Sequence, residues 1–335
     1  DAAGDQPAIL LWNDYANRGG EDEWVFAMNA NGYVEGTDYD VYYTNGPSSG
    51  VGSGLGGRAT LPQINGYETL LYTSGDLSAY TISNGDYAQD AGNDIDLLDQ
   101  WLQNGKNALF TGDDLTSDLM SSGGATVNFV STWFSVDFLG NDLRPVIGSQ
   151  PAPLVLPIAG NSVNLTTEFI AYGGCLGYNT FDIVTPNGSC ERIAEFADAS
   201  GNGGVYSYAA GTYNAVNGSN VVYFPVDFMY WYNTDAPGNA RAAVLNDILL
   251  FFGHLGSIVN PVVDAPELGV FAAKNFPNPF NPLTKIQWTI PQAGDLSIKI
   301  FNVRGELVNT LVDEAVTTTS GVAEWAGKDN SGSDV

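Results

Sequence analysis

Apolar residues along the first 260 positions come in short continuous runs separated by longer amphipathic stretches. The runs are "AILLWND" (8–14), "YDVYYT" (39–44), "ETLLYTSGD" (68–76), "NALFTGDD" (107–114) and "SNVVYFPVDF" (219–228). Runs of this length bounded by polar or turn residues predict strands buried on both faces. "RGGEDEWVFAMNANG" has helical apolar spacing and a terminal Gly. "DAGNDIDLLDQWLQNGK" (90–106) places Ile95, Leu98, Trp101 and Leu102 on one helical face and stops at Gly105. "GGATVNFVSTWFSVDF" (123–138) predicts the start of another helix, and "GNARAAVLNDILLFFGHLG" (238–256) a closing one. Strands alternating with helices predict an α/β fold, a flavodoxin-like parallel sheet with helices on both faces.

Two segments break this rhythm. Over about 145–220, Pro, Gly, Asn and Thr punctuate short β-like pieces such as "PLVLPIA", "EFIAYGG" and "GVYSYAA", which predicts a β-rich insertion. After a linker at 257–270, "TKIQWTIP", "GDLSIKIFNVRG", "LVNTLV" and "GVAEWAG" alternate apolar with polar, the pattern of a small β-sandwich. The expected organisation is an α/β domain over 1–256, the linker, and an all-β domain over 271–335. Pro277, Pro279 and Pro282 open the second domain. Each fixes φ and lacks an N–H, so "FPNPFNP" predicts a stiff extended lead-in unable to serve as a central strand.

Charge narrows the partners. Eleven basic residues against 38 acidic give −27, a surface that repels phosphate backbones and anionic lipid. Nucleic-acid and membrane partners are therefore not expected, and no stretch reaches the roughly 18–20 apolar residues of a membrane span. Residue 1 opens no basic and apolar leader, as in a mature or trimmed chain. Cys175 and Cys190 flank a Gly-, Asn- and Pro-containing stretch. They are read as a disulfide, with two buried free thiols as the alternative; a single histidine, His254, makes a zinc site implausible. "GPSSGVGSGLGGR" (46–58) lacks the Lys-Ser/Thr of a phosphate loop and reads as a flexible loop. Low Lys, abundant Asn, Gly, Thr and Tyr, and a disulfide point to an exported protein. The N-x-S/T sequences at Asn164, Asn187 and Asn217 read as chance matches in a bacterial exporter.

"NFPNPFNPLTKIQWTIPQAGDLSIKIFNVRGELVNTLVD" followed by "EWAGKDNSG" resembles the Ig-like C-terminal sorting domain of type IX secretion cargo, similar also to the Ig-like module of the flagellar hook-capping protein. The resemblance covers about a fifth of the chain. It implies the type IX secretion machinery as a partner and a location outside the bacterium, secreted or on the outer-membrane surface. Such domains continue for one or two further strands, whereas this sequence stops at Val335 in a turn. The resulting expectation is an incomplete sandwich whose open edge is left disordered or cleaved, or is filled by a neighbouring subunit. More loosely, "LLWND", "YETLLYTSGD", "LLDQWLQNGKNALFTGDDL" and "NVVYFPVDFMYW" resemble the class I glutamine-amidotransferase-like fold. Enzymes of that fold set a nucleophilic Cys on the turn after a strand, with a His nearby. Here that turn is Thr111-Gly112-Asp113-Asp114, without a thiol. His254, at the end of the closing helix, is expected to meet that helix's last carbonyls.

Candidate chemistry follows from the strand ends, where open α/β sheets bind ligands. Asp14, Asp76, Asp113 and Asp114 all end first-half strands, with Thr73, Ser74 and Thr111 as further oxygen donors. Oxygen-only ligation suits a hard cation, calcium first; the alternatives are helix caps and turns, or a carboxylate-pair hydrolase. Phe228, Tyr230, Trp231 and Tyr232 form a second candidate surface, which would either stack on sugars or pack beneath the insertion. Three functions compete. The first is a non-enzymatic surface or matrix protein, with filament-type self-association. The others are a carbohydrate-binding adhesin using residues 228–232 and a secreted hydrolase using the strand-end aspartates.

Overall fold

The computed structural model describes residues 6–15, 18–44, 53–83, 93–149, 152–172, 181–198, 205–232, 239–256, 272–276, 284–290, 293–302, 304–318 and 320–333. The chain divides into two compact units, Asp1–Ile258 and Val259–Val335. The expected linker at 257–270 and the prolines at 277, 279 and 282 lie outside the described residues.

In the larger unit, β1 (Ile9–Asn13), α1 (Glu21–Ala30), β2 (Tyr39–Tyr43), α2 (Leu55–Arg58) and α3 (Leu61–Ile64) come first. β3 (Thr69–Thr73), α4 (Asp94–Leu102), β4 (Asn107–Thr111), α5 (Leu115–Ser121) and α6 (Ala125–Phe129) follow. A π-helical turn at Val130–Phe134 continues α6, where the sequence predicts one longer helix. Next are β5 (Val136–Gly140), α7 (Leu143–Val146), β6 (Leu154–Pro157), β7 (Phe169–Ala171), β8 (Ile183–Pro186), β9 (Glu191–Ala197) and β10 (Val205–Val216). β11 (Ser219–Phe224), β12 (Trp231–Tyr232) and α8 (Asn239–Phe251) close the unit.

A ten-stranded sheet with the order β12-β7-β6-β9-β10-β11-β4-β3-β1-β2 spans this unit. From β2 through β1, β3 and β4 to β11, every neighbouring pair is parallel. Beyond β11 the pairs are antiparallel. The β-rich insertion therefore extends the parallel sheet along one side, and the fold is a mixed α/β one. Period-two alternation decides which helix covers which face. Ile9, Leu11, Leu71, Leu109 and Val222 pack with Trp24 and Met28 of α1 and Leu245 and Ile248 of α8. Leu10, Trp12, Leu70, Tyr72, Phe110 and Tyr223 pack with Ile95, Leu98, Trp101 and Leu102 of α4. Each such buried side chain stabilises by about 1.5–3 kcal/mol. The Asn217 sequence reads as turn chemistry. Asn217 and Gly218 form the two-residue loop between β10 and β11 with φ of 52° and 83°, the left-handed pair that favours Asn-Gly in tight hairpins.

In the smaller unit, β13 (Ala272–Phe276), β14 (Thr284–Thr289) and β17 (Ser320–Trp325) form an antiparallel sheet centred on β14. β15 (Gly294–Phe301) pairs antiparallel with β16 (Leu307–Val316). Ile286, Trp288, Ile290 and Ala323 are buried. Among the described residues, no helix is long and apolar enough to cross a membrane.

Candidate functional site

The carboxyl ends of β3, β4 and β11 are tied together by Asp227, three positions beyond β11. Its Oδ2 accepts from Thr73 Oγ1 at 2.6 Å, Gly75 N at 3.0 Å and Thr111 Oγ1 at 3.1 Å, and its Oδ1 from Met229 N at 3.1 Å. Burial raises its pKa, and these donors hold the rise down. Arg241 of α8 fixes the turn that carries Asp227, donating to the carbonyls of Phe228 at 3.2 Å and Met229 at 2.6 Å.

Asp113 follows the Thr111-Gly112 turn. Its backbone N donates to Gly75 O at 3.1 Å, its carbonyl accepts from Asp182 N at 2.9 Å, and its Oδ1 accepts from Asp227 N at 3.0 Å. The other oxygen, Oδ2, has no hydrogen-bond partner among the described residues. Burial first, and then the nearby carboxylates of Asp227, Asp114 and Asp76, push this carboxyl well above the usual range. Gly112 is sterically required, since a Cβ there would sit 2.1 Å from Ser74 Oγ. That hydroxyl is buried and has no hydrogen-bond partner among the described residues.

The four strand-end aspartates meet different fates. Asp14 is buried on the α4 side, where its carboxylate accepts from Thr44 Oγ1 at 2.5 Å and Tyr72 OH at 2.9 Å. The charges that bear on it are those of Asp94 and Asp118, while Asp113 answers to Asp227, Asp114 and Asp76. Asp76 is exposed and accepts from Tyr15 OH at 2.5 Å, with the Tyr15 ring lying over Gly75. Asp114 accepts from Asn141 Nδ2 at 3.3 Å, and burial raises its pKa to about 6. Among the described residues, no three His, Cys, Asp or Glu side chains come together as a metal-ligand group. The expected gathering of all four acids around one cation therefore does not form: Asp14 faces another cluster, and its oxygens are already satisfied.

The aromatic segment takes the second of its two expected placements, and the expectation for His254 is corrected. Phe228 and Trp231 are fully buried and present no surface to a sugar. Phe228 stacks on Trp24 at 3.8 Å between ring centroids, and Trp231 stacks on Phe169 of β7 at 4.9 Å, so these rings pack beneath the insertion. Tyr230 and Tyr232 are half-buried. Burial, and then the charges of Asp113, Asp76 and Asp227, drive the Tyr230 hydroxyl far above its usual pKa. The His254 ring does not turn to the carbonyls of α8. Its Nε2 lies 2.6 Å from Thr69 Oγ1, at the opposite end of β3 from the rim, and burial lowers its pKa. Cys190 carries a half-buried thiol 3.4 Å from the Phe134 carbonyl, with its pKa raised by burial to about 11. Its expected partner, Cys175, lies outside the described residues.

Asp227 and Asp182 were not singled out by the sequence. Asp227 had the signal that identified the others, an acid just past a buried strand, but "YFPVDF" reads as strand throughout. Asp182 gave none: it lies in the insertion, and only tertiary structure brings its Oδ2 to 2.7 Å from Thr116 N at the start of α5.

No protein-family model matches the chain, and no curated protein matches it. Several solved structures are similar. The β-galactosidase from Bacillus circulans sp. alkalophilus aligns over 96% of this chain at 11% identity with a TM-score of 0.44; the chain spans 41% of that enzyme's length. A cytoplasmic protein from Salmonella typhimurium aligns over 73% of this chain and 96% of its own, at 11% identity and a TM-score of 0.43. An exo-β-1,4-mannosidase from Opitutaceae bacterium strain TAV5 aligns over 67% of this chain and 32% of its own, at 10% identity and a TM-score of 0.38.

Proposed function

We propose that the chain is a secreted, non-enzymatic surface or extracellular-matrix protein whose larger unit is an amidotransferase-like scaffold without the chemistry of that fold. The observation that carries this reading is the separation of His254 from the Thr111–Asp114 turn. His254 is held at Thr69, the first residue of β3, whereas Thr73 at the other end of that strand is bonded into the rim. Four residues at about 3.3 Å each put the histidine on the order of 13 Å from the rim, far beyond hydrogen-bond reach of Ser74 or any nucleophile there. Asp14 and Asp227 have both oxygens engaged by neighbouring groups, as in carboxylates that brace a sheet.

The smaller unit is read as an Ig-like sorting domain, a reading supported by its two antiparallel sheets and the motifs of residues 275–329. Self-association through an edge of those sheets belongs to the same reading, and light scattering of the purified chain tests it. Export is tested by fusing residues 271–335 to a fluorescent protein in a bacterium with a type IX apparatus. Fluorescence in the medium is the expected result, and retention in the periplasm defeats the assignment.

A hydrolase reading competes at one place only. Asp113 has a pKa raised by burial and by the charges of Asp227, Asp114 and Asp76, and among the described residues one of its oxygens has no hydrogen-bond partner, the kind of environment that tunes a general acid. The full chain is expected to leave a panel of chromogenic glycosides and peptides intact. Turnover that disappears in Asp113→Asn, with the fold retained, would replace the scaffold reading by the hydrolase one.

A further inference from the structure

We propose that the cavity beside the outer edge of β2 docks an extended peptide strand bearing a basic side chain, arginine ahead of lysine. The cavity holds about 380 Å³ and combines the carboxylates of Glu35 and Asp40 with the aromatic rings of Tyr42 and Tyr67 and the apolar side chains of Leu10 and Ile64. That volume lies within the range of small-ligand clefts. Among the described residues no lysine or arginine lines it; the charge of Arg58 bears on Tyr42, but Glu35 and Asp40 set two carboxylates against that one guanidinium, so the cavity favours a cation over an anion. Asp40 Oδ2 accepts from Tyr67 OH at 2.7 Å, while Oδ1 has no hydrogen-bond partner among the described residues. A carboxylate anchored through one oxygen presents the other in a fixed direction to a charged donor, and the flanking rings suit the flat faces of a guanidinium better than an ammonium. Leu10 and Ile64 offer apolar surface to the methylene stem of the same side chain.

The backbone of β2 supplies the second half of the site. β2 ends the sheet order; among the described residues β1 is the strand it pairs with, and a single bridge from Glu35 reaches Tyr39 at the start of its outer edge. Thr44 N turns inward to Asn13 O at 3.1 Å, whereas the Tyr39 carbonyl turns outward to Gly36 N at 2.8 Å. With a period of two, the N–H and C=O of Val41 and Tyr43 face the outer edge. Val41 is itself a cavity residue. A strand added there pairs its main chain with Val41 and Tyr43, and one of its alternate side chains falls into the acidic cavity. The net charge of −27 attracts a basic segment to the protein as a whole, and Glu35 and Asp40 give it a local anchor.

The test is calorimetric titration of the full chain with an acetylated, amidated Thr-Val-Arg-Val-Thr peptide. Saturable binding is expected, weakened about ten- to hundredfold in Glu35→Gln and Asp40→Asn, as for loss of a charge-assisted hydrogen bond. Asp22→Asn, an exposed acid on α1, should leave it unchanged. Replacing the peptide arginine by glutamine, or N-methylating its backbone to block strand pairing, should each abolish binding; neither change touches the folding of the protein. Absence of saturable binding, equal binding by the N-methylated peptide, or weakening by Asp22→Asn equal to that by Glu35→Gln overturns the proposal. So does saturable galactose binding lost in Glu35→Gln, which would make the cavity a sugar site.

Discussion

Asp227 gathers three strand ends with one carboxylate, and its replacement should be costly although the change is small. An amide at Asp227→Asn offers a single acceptor oxygen, so one set of donors among Thr73, Gly75, Thr111 and Met229 is left facing an NH2 group. A loss of about 2–3 kcal/mol is expected for buried donors left unpaired, read from the urea midpoint by circular dichroism. Asp113 should behave in the opposite way. Its carboxyl is buried among other acids, and only Oδ1 is engaged, so Asp113→Asn removes a charge the fold disfavours and should stabilise at neutral pH. The pH dependence has a definite sign. Asp14, Asp113, Asp182 and Asp227 are raised, and Asp114 is raised to about 6. Each is easier to protonate in the folded chain than in the unfolded one, so this contribution is full below the unfolded carboxylate range near pH 4. It falls as pH rises through the folded values, 6 for Asp114. Urea midpoints should decline from about pH 4 to pH 7, and Asp114→Asn should flatten that decline near pH 6. A midpoint that rises over this interval would show that these carboxyls are not buried as described.

At the level of elements, the close approach of β3 to the turn after β4 is set by one missing side chain. A Cβ on Gly112 would lie 2.1 Å from Ser74 Oγ but 3.5 Å from Ser74 Cβ. Gly112→Ala should therefore destabilise by about 1–3 kcal/mol through overpacking, and adding Ser74→Ala should restore part of that loss, the contact with Leu115 Cβ at 3.1 Å remaining. Ser74→Ala alone should be neutral or stabilising, because it deletes a buried hydroxyl that has no hydrogen-bond partner among the described residues. A double-mutant cycle in urea checks the coupling; strict additivity would mean that the two residues do not meet. The aromatic segment after β11 illustrates how an element can mislead. Four rings within 228–232 look excessive for one strand, yet the antiparallel extension of the sheet supplies Phe169 and α1 supplies Trp24 to cover two of them.

For the whole molecule, charge is the dominant quantity. Thirty-eight acidic groups against eleven basic ones repel one another on any compact surface, and the described ion pairs are few: Lys285–Glu324 and Arg304–Glu306 are exposed, and Arg192–Glu195 is half-buried. Salt that screens this repulsion should raise the thermal midpoint between 0.05 M and 0.5 M sodium chloride, since the Debye length falls below about 10 Å over that interval. A midpoint indifferent to salt would mean that the acidic groups contribute no net repulsion.

Much of the architecture was legible in the residues because burial leaves a periodic trace. Five apolar runs became β1, β2, β3, β4 and β11, and the face Ile95-Leu98-Trp101-Leu102 became the buried side of α4. The alternation beyond residue 284 likewise became β14 to β17. These are local properties, fixed by which side chains avoid water at a given spacing. The insertion was legible as an inserted or edge β-segment, but its strand order and pairing were not, since strand pairing joins residues distant in sequence. The candidate site was least legible. An Asp after a strand looks the same whether it braces neighbours, as Asp227 does, keeps an unpartnered oxygen, as Asp113 does, or meets a tyrosine at the surface, as Asp76 does. The sequence by itself determined the two-part organisation, the acidic character and a sheet end rich in aspartates. Tertiary structure alone decided which carboxylates share a neighbourhood and where the single histidine sits, because hydrogen bonds and burial are set by partners that the chain brings together only on folding.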